Sequence, residues 1–240
     1  MFKKLVLTAA LLAATNASAD TITQWNFNSV TPDANTGTGS IIASIGAGSL
    51  SALAGVTTSF SSGTANGGST DTAPTADDSG FQTTGYAAQG AANKTRGVQY
   101  NVSTVGFEDI IVKYDLRHSN TSSRYEQFQY SLDGTNFVDF DLFDGNAGDT
   151  WFNNRTVDLS SIAGADNNAS FAFRVVAAFA PNTSAYAASS STYAGSGTWR
   201  FDMVTASGTA VAAVPEPETY ALLVAGLGLV GFSARRRQSD

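Results

Sequence analysis

The chain has 240 residues, a formal net charge of −7 and a calculated isoelectric point near 4.6. Without the charges of its two ends, residues 20–213 carry 8 basic and 17 acidic side chains, a net charge of −9 that repels phosphate and disfavours nucleic acid as a partner. The absence of cysteine and the presence of a single histidine exclude disulfides, thiol catalysis, cysteine-based zinc sites and multi-histidine metal sites in this chain.

Residues 1–19 have the three parts of a secretory signal peptide. Lys3 and Lys4 form a positive start, residues 5–14 are apolar, and Ala17, Ser18 and Ala19 form a small-residue cleavage site. We therefore expect the Sec translocon and signal peptidase as partners. The mature chain is then expected to begin at Asp20.

Residues 20–213 are expected to form one all-β domain. This part is rich in Gly, Ser, Thr, Asn and Ala, which are poor helix formers apart from Ala, and its apolar residues mostly alternate. The Asp133-Gly134 pair predicts a tight hairpin turn. Candidate strands lie at residues 22–27, 41–45, 56–60, 81–86, 97–102, 110–117, 125–132, 137–142, 155–159, 170–179 and 198–205, with a loop at 63–78. Such a series predicts an antiparallel β-sandwich of the jelly-roll type.

Two segments of this domain, Tyr-Ser-Leu-Asp-Gly-Thr-Asn-Phe at 130–137 and Gly-Thr-Trp-Arg-Phe-Asp-Met-Val at 197–204, resemble parts of secreted bacterial β-sandwich proteins. Those sandwiches are similar to carbohydrate-binding and concanavalin-like jelly rolls. A second polar residue usually follows the aspartate of the last strand in such proteins, whereas Met203 follows Asp202 here.

Two groups of residues are candidates for a structural calcium site, because calcium prefers hard oxygen ligands. The first is the acidic group Asp139, Asp141, Asp144, Asn146 and Asp149, whose spacing does not match an EF-hand. The alternative for this group is a polar loop that caps its own backbone. The second is Asp202, expected near Asn26 or Asn28, since the resembling jelly rolls often place calcium where the first and last strands are neighbours.

Trp151 is the candidate for sugar binding, because it follows the acidic loop and precedes two asparagines. The alternative is that Trp151 packs in the core, as expected for Trp25 and Trp199, which lie in candidate strands.

Catalytic patterns are scarce in this sequence. His118 follows a strong candidate strand without the spacing of a catalytic triad, and we expect it in a surface or loop-packing position. Glycoside hydrolysis needs two placed carboxylates, but Glu108 is expected to cap a turn and Glu126 to be solvated. The sequence therefore favours a non-catalytic domain, with a secreted hydrolase as the remaining alternative.

Residues 214–240 predict a short membrane-anchored tail. Val214, Pro215, Glu216 and Pro217 form an extended acidic segment, because each proline disfavours helix in the residue before it. An uncharged run at 220–234 would reach roughly 22 Å as a helix, short of a bilayer core of about 30 Å. Arg235, Arg236 and Arg237 can snorkel to the interface and fix the C-terminus in the cytoplasm.

This order of Pro-Glu-Pro, apolar run and arginine cluster resembles the PEP-CTERM sorting signal of Gram-negative bacteria. The resemblance implies processing by an exosortase, transient anchoring in the inner membrane, and delivery to the cell surface or extracellular matrix, often in bacteria that make exopolysaccharide. We therefore expect an exported, non-catalytic surface or matrix protein. A carbohydrate-binding module for exopolysaccharide is the alternative.

Overall fold

The computed structural model describes residues 19–211 and 225–226. The chain divides into two compact units, Met1–Ala210 and Val211–Asp240. Ala17, the sorting residues Val214 to Pro217 and the arginines at 235–237 lie outside the described residues, as does nearly all of the predicted membrane helix. No helix within the described residues is long and apolar enough to cross a membrane.

Twelve strands and two short 3₁₀ turns form the described part of the chain. The strands are β1 (Ala19–Trp25), β2 (Ile45–Gly46), β3 (Gly48–Ala52), β4 (Thr57–Ser62), β5 (Ser79–Thr84), β6 (Gly97–Val102), β7 (Phe107–His118), β8 (Tyr125–Ser131), β9 (Val138–Asp144), β10 (Thr150–Asp158), β11 (Ala172–Ala178) and β12 (Trp199–Ala210). The 3₁₀ turns are Ala65–Gly67 and Ala163–Ala165.

The strands form two antiparallel sheets. The seven-stranded sheet is centred on β12, which pairs with β7 along one edge and with β5 and β1 along the other. Strands β10, β4 and β2 extend it through β7, β5 and β1. The second sheet has five strands in the order β3-β6-β11-β8-β9.

The core lies between the two sheets and is rich in aromatic rings. Trp25 and Trp199 are fully buried, which confirms the expectation that both pack in the core. Tyr100 stacks on Phe173 with ring centroids 4.8 Å apart. Contacts of this kind join strands that are distant in sequence, so the sandwich holds its own core within the described residues.

The predicted antiparallel all-β fold is confirmed. The four alternating residues Ile110, Val112, Tyr114 and Leu116 are all buried on one face of β7. The predicted hairpin also forms, since β8 pairs antiparallel with β9 across the Asp133-Gly134 turn.

In the first half, one strand prediction was wrong and one strand was missed. Most of the predicted strand at 41–45 is irregular, and only Ile45 belongs to β2. Strand β3 was missed because its five residues include a glycine and two serines, and only Leu50 packs against the core. Its ladder to β6, and not its own composition, makes this segment a strand.

Strand β1 begins close to the predicted cleavage site. Ala19 pairs with Thr209 and Asp20 pairs with Gly208, so the expected mature N-terminus lies at the start of a strand of the larger sheet. Cleavage before Asp20 would leave nearly all of β1 in the domain and stays a prediction.

Candidate functional site

The acidic group proposed from the β9 sequence does not converge on one point. Asp139 pairs with Lys94 and accepts from Gln129, Asp144 pairs with Arg124, and Asp149 pairs with Arg117. Asp141 is half-buried and Asn146 is exposed. In the described part of the chain, these acids do not belong to the group of three whose ligand atoms lie within metal-binding distance of one another.

Ion pairing and burial shift the pKa values of two β9 acids in opposite directions. The hydrogen bond from Arg124 lowers the pKa of Asp144, whereas partial burial raises the pKa of Asp141, which belongs to none of the ion pairs among the described residues. The group therefore behaves as a set of surface ion pairs and polar contacts, closer to the alternative of a polar loop.

Trp151 does not offer its ring to a ligand. Only 7% of the residue is exposed, and its indole Nε1 donates to the main-chain oxygen of Ala65 at 2.8 Å. Because sugar stacking needs an open aromatic face, the proposal of Trp151 as a glycan contact is corrected to a packing role.

His118 and Glu126, expected at loop and solvated positions, are both completely buried. His118 Nε2 lies 2.8 Å from Glu126 Oε2, and its Nδ1 lies 2.8 Å from the main-chain oxygen of Ser123. Glu126 Oε1 faces Arg155 Nε at 2.8 Å, close enough for an ion pair without the alignment of a hydrogen bond. Both expectations were wrong because each residue continues the inward-facing alternation of its strand, His118 after Leu116 and Glu126 before Phe128.

Further contacts hold this buried network in place. Arg155 lies over the rings of Phe143 and Phe152 and also donates to the main-chain oxygen of Asp144. Glu126 thus lies between His118 and Arg155, and each of these side chains has a structural partner.

A different group of carboxylates does converge. Asp71, Asp78 and Asp202 each place one oxygen within 4.8 Å of the others, and we call this group the acidic cluster. Asp71 and Asp78 come from the loop between β4 and β5, and Asp202 comes from β12. Asp78 and Asp202 are 1% and 0% exposed.

Hydrogen bonds hold most oxygens of the acidic cluster in place. Asp202 accepts from the Ser69 hydroxyl at 2.7 Å and from the main-chain N–H of Met203 at 2.8 Å. Asp71 accepts from the Asn28 amide at 2.8 Å. Asp78 Oδ1 is buried and accepts no hydrogen bond.

Burial and mutual repulsion perturb the acidic cluster. Burial, with the nearby charge of Asp71, raises the pKa of Asp78 to about 6. Burial also raises the pKa of Asp202 well above its ordinary value, and the charge of Asp78 adds to the effect. The group therefore has an energetic need for a positive partner or a proton.

The sequence identified one member of the acidic cluster and missed two. Asp202 was a calcium candidate beside Asn26 or Asn28, and the structure places Asn28 against Asp71 of the same cluster. Asp71 and Asp78 were missed because they lie in a segment that composition assigned only to a loop. The available signal was that this loop holds Asp71, Asp77 and Asp78 but no basic residue between 63 and 78.

The outer face of the five-stranded sheet carries a second polar feature. Ser51, Gln99, Arg174, Gln129 and Asp139 are paired in register across β3, β6, β11, β8 and β9, and we call them the polar row. Neighbouring strands lie about 4.8 Å apart, so the row spans about 19 Å. It lies opposite the core because Tyr100, Phe173 and Phe128, which flank it in the strands, face inwards.

The polar row contains two hydrogen-bonded pairs. Arg174 Nε donates to Gln99 Oε1 at 2.8 Å, and its guanidinium lies 3.5 Å from the centroid of the Phe137 ring. Gln129 Nε2 donates to Asp139 at 2.8 Å, while Gln129 Oε1 is buried without a hydrogen-bond partner. Planar amide, carboxylate and guanidinium groups of this kind can exchange hydrogen bonds with hydroxyl-rich ligands.

Comparison with solved structures finds distant likenesses to the sandwich. The CBM22-1–GH10 modules of Clostridium thermocellum endo-1,4-β-D-xylanase 10B, complexed with xylohexaose, are 12% identical, with a TM-score of 0.44, and cover 82% of this chain. This chain covers 29% of that structure. The CBM22-1 xylan-binding domain of Paenibacillus barcinonensis Xyn10C is 13% identical, with a TM-score of 0.46, over 82% of this chain and 100% of that domain.

No curated protein sequence matches the chain significantly. A family model does match its end: residues 213–237 fit the PEP-CTERM protein-sorting motif. The match includes the Pro-Glu-Pro segment, the apolar run and the three arginines, and it confirms the resemblance drawn from those residues. The chain thus carries a PEP-CTERM protein-sorting motif behind an antiparallel β-sandwich.

Proposed function

We propose that this protein is exported across the inner membrane, is processed near Pro215-Glu216-Pro217 by an exosortase, and ends at the cell surface or in the extracellular matrix. The observation that carries this proposal is the sorting motif at residues 213–237. The signal-peptide pattern of residues 1–19 supports the same route, since both ends then serve export.

The sandwich acts in this proposal as a non-catalytic body. His118 and Glu126 bind each other inside the core, and Trp151 is buried, so these residues have structural contacts in place of exposed reactive groups. The acidic surface suits a protein that stays soluble among neutral polysaccharides and cations.

The test replaces Pro215, Glu216 and Pro217 with alanine in the full chain. We expect the variant to accumulate in the inner-membrane fraction, because the extended acidic segment that the processing enzyme would grip is lost. Glu218→Ala, the adjacent acid outside the motif, is the matched control and should be exported normally. Fractionation and intact mass of the secreted form measure both outcomes, and normal secretion of the triple variant would refute the proposal.

A second candidate function is binding of a neutral exopolysaccharide, and the polar row favours it. The row offers the exposed side chains of Ser51 and Asp139 and the half-buried side chains of Gln99 and Arg174 on one sheet face. Its span of about 19 Å would accommodate several sugar units of an extended chain. This candidate replaces Trp151 as the proposed contact, since that ring is buried.

Affinity electrophoresis of residues 19–211 in gels of the producing strain's exopolysaccharide tests the second candidate. We expect Arg174→Ala to lose most of the retardation, because the variant removes both the donor group and its packing on Phe137. Lys113→Ala, an exposed basic residue on β7 of the other sheet, is the control for lost positive charge. Equal retardation of both variants and the original domain would contradict a role for the polar row.

A further inference from the structure

We propose that the acidic cluster of Asp71, Asp78 and Asp202 binds one calcium ion, which ties the loop between β4 and β5 to the central strand β12. The donors are carboxylate oxygens alone, a set that favours calcium or magnesium over zinc or copper. The inference does not depend on the route of export.

The spacing of the cluster fits a calcium ion. Calcium binds oxygens at about 2.3–2.6 Å, so two ligands on opposite sides of one ion lie about 5 Å apart at most. The three oxygens of the cluster lie within 4.8 Å of one another, which satisfies this limit. Three carboxylates leave further positions of a calcium shell of six to eight oxygens for water or main-chain groups.

An independent observation is the unpartnered oxygen of Asp78. The residue is 1% exposed and its Oδ1 accepts no hydrogen bond, although a buried carboxylate oxygen without a partner is costly. This oxygen faces into the cluster, because a Cβ added to Gly63 would collide with it and would also lie 2.9 Å from Asp202 Oδ2.

A neighbouring aspartate shows how a buried carboxylate is satisfied without an ion. Asp115, also 1% exposed, accepts from the main-chain N–H of Thr70 at 2.5 Å, from the Thr70 hydroxyl at 2.6 Å and from the N–H of Asn154 at 2.7 Å. Asp78 Oδ1 receives no such donor. The contrast indicates that this oxygen still needs a cation or a proton as its partner.

The basic side chains Arg200 and Arg117 form their hydrogen bonds outside the cluster. Arg200 donates to the Ser62 main-chain oxygen and to Gln82, and Arg117 pairs with Asp149. None of the ion pairs among the described residues includes a member of the acidic cluster. A divalent cation would supply the missing positive charge.

The loop held by this ion has structural partners of its own. Its residues Ala65 and Gly68 accept hydrogen bonds from Trp151 and Asn153 of β10, and Thr70 binds Asp115 of β7. An ion that fixes Asp71 and Asp78 to Asp202 would therefore stabilise one end of the larger sheet.

Thermal unfolding of residues 19–211, a unit with its own core, tests the proposal in EDTA and in CaCl₂. We expect the melting temperature to rise by about 5–10 °C at calcium concentrations 100-fold above the dissociation constant. Asp78→Asn should lose at least two thirds of this shift and should not be less stable than the original domain in EDTA, because the amide removes one of three like charges. Asp141→Asn, a half-buried acid of β9 outside the cluster, is the control and should keep the full shift.

Three results would overturn the proposal. The first is an unchanged melting temperature together with no heat of binding in calorimetry with CaCl₂. The second is a calcium shift that persists in Asp78→Asn. An equal shift with MgCl₂ at the same concentration would overturn the assignment to calcium, since magnesium needs a more regular shell of six oxygens.

Discussion

Two buried groups of charged residues in this sandwich differ in one respect. In the network of His118, Glu126 and Arg155, the Glu126 carboxylate lies 2.8 Å from both the His118 imidazole and the Arg155 guanidinium. In the acidic cluster, three carboxylates meet with no basic side chain paired to them in the described residues. The difference shows that a buried carboxylate can be stabilised from within the fold in one place and depend on an added cation or proton in another.

The same substitution of acid by amide should therefore have opposite effects in the two groups. The largest expected effect is that of Glu126→Gln, which leaves the Arg155 guanidinium without its buried carboxylate and changes the partner of His118. Loss of one partner from a buried charge pair costs about 3–5 kcal/mol. Urea unfolding of residues 19–211 measures this loss of unfolding free energy.

Glu108→Gln is the matched control for that experiment, because Glu108 is exposed at the start of β7. Its effect should stay within about 0.5 kcal/mol. If the two glutamine variants were equally stable, the buried network would contribute nothing specific and the comparison would fail.

The second effect is the pH dependence of the metal-free protein. The pKa of Asp78 is raised in the folded state to about 6 from an ordinary value of 3.8, so the folded protein holds a proton that the unfolded chain releases. Stability from this group is therefore present at low pH and lost as pH rises from about 4 to 6. In EDTA above pH 7, Asp78→Asn should recover about 1–3 kcal/mol of unfolding free energy.

Chemical unfolding at a series of pH values in EDTA checks the sign of this effect. Asp78→Asn should show a flatter profile than the original domain between pH 4 and 7. If the stability of the original domain rose with pH over this window, burial and charge repulsion would not be destabilising the acidic cluster as we infer.

The smallest effect is expected at the ion pair of Asp144 and Arg124, whose side chains are 41% and 34% exposed. The hydrogen bond from Arg124 lowers the pKa of Asp144, so its stabilising effect is present above about pH 4 and is lost as pH falls further. Solvent screens such pairs, and Asp144→Asn should cost less than about 1 kcal/mol at pH 7. A loss of unfolding free energy as large as that of Glu126→Gln would show that solvent exposure does not determine how strongly an ion pair stabilises this protein.

Much of the fold could be predicted because its signals are local. The alternation of apolar residues in β7 predicted which face of that strand is buried, and Asp133-Gly134 predicted the turn of the β8–β9 hairpin. Strand β3 was not predicted because its stability comes from pairing with β6, and its own residues do not indicate that pairing. The sorting tail was the most predictable part, since its chemistry is contained in consecutive residues.

The candidate sites were less predictable because closeness in sequence is a poor guide to closeness in space. The acids of β9 are dense in sequence, yet the hydrogen bonds and ion pairs of Asp139, Asp144 and Asp149 lead to three different basic residues. Asp78 and Asp202 are far apart in sequence, yet both lie beside Gly63. An alternating pattern assigns a side chain to a face, but it does not say what covers that face.

The sequence by itself determined the class of fold, the order of most strands and the sorting motif, because periodicity, turn chemistry and short motifs act over a few residues. Only the tertiary structure decided that Trp151 is buried and that Asp71, Asp78 and Asp202 meet. The physical reason is that strand register and the path of the loop between β4 and β5 bring these side chains together. Both result from the packing of the whole sandwich, and no single segment specifies them.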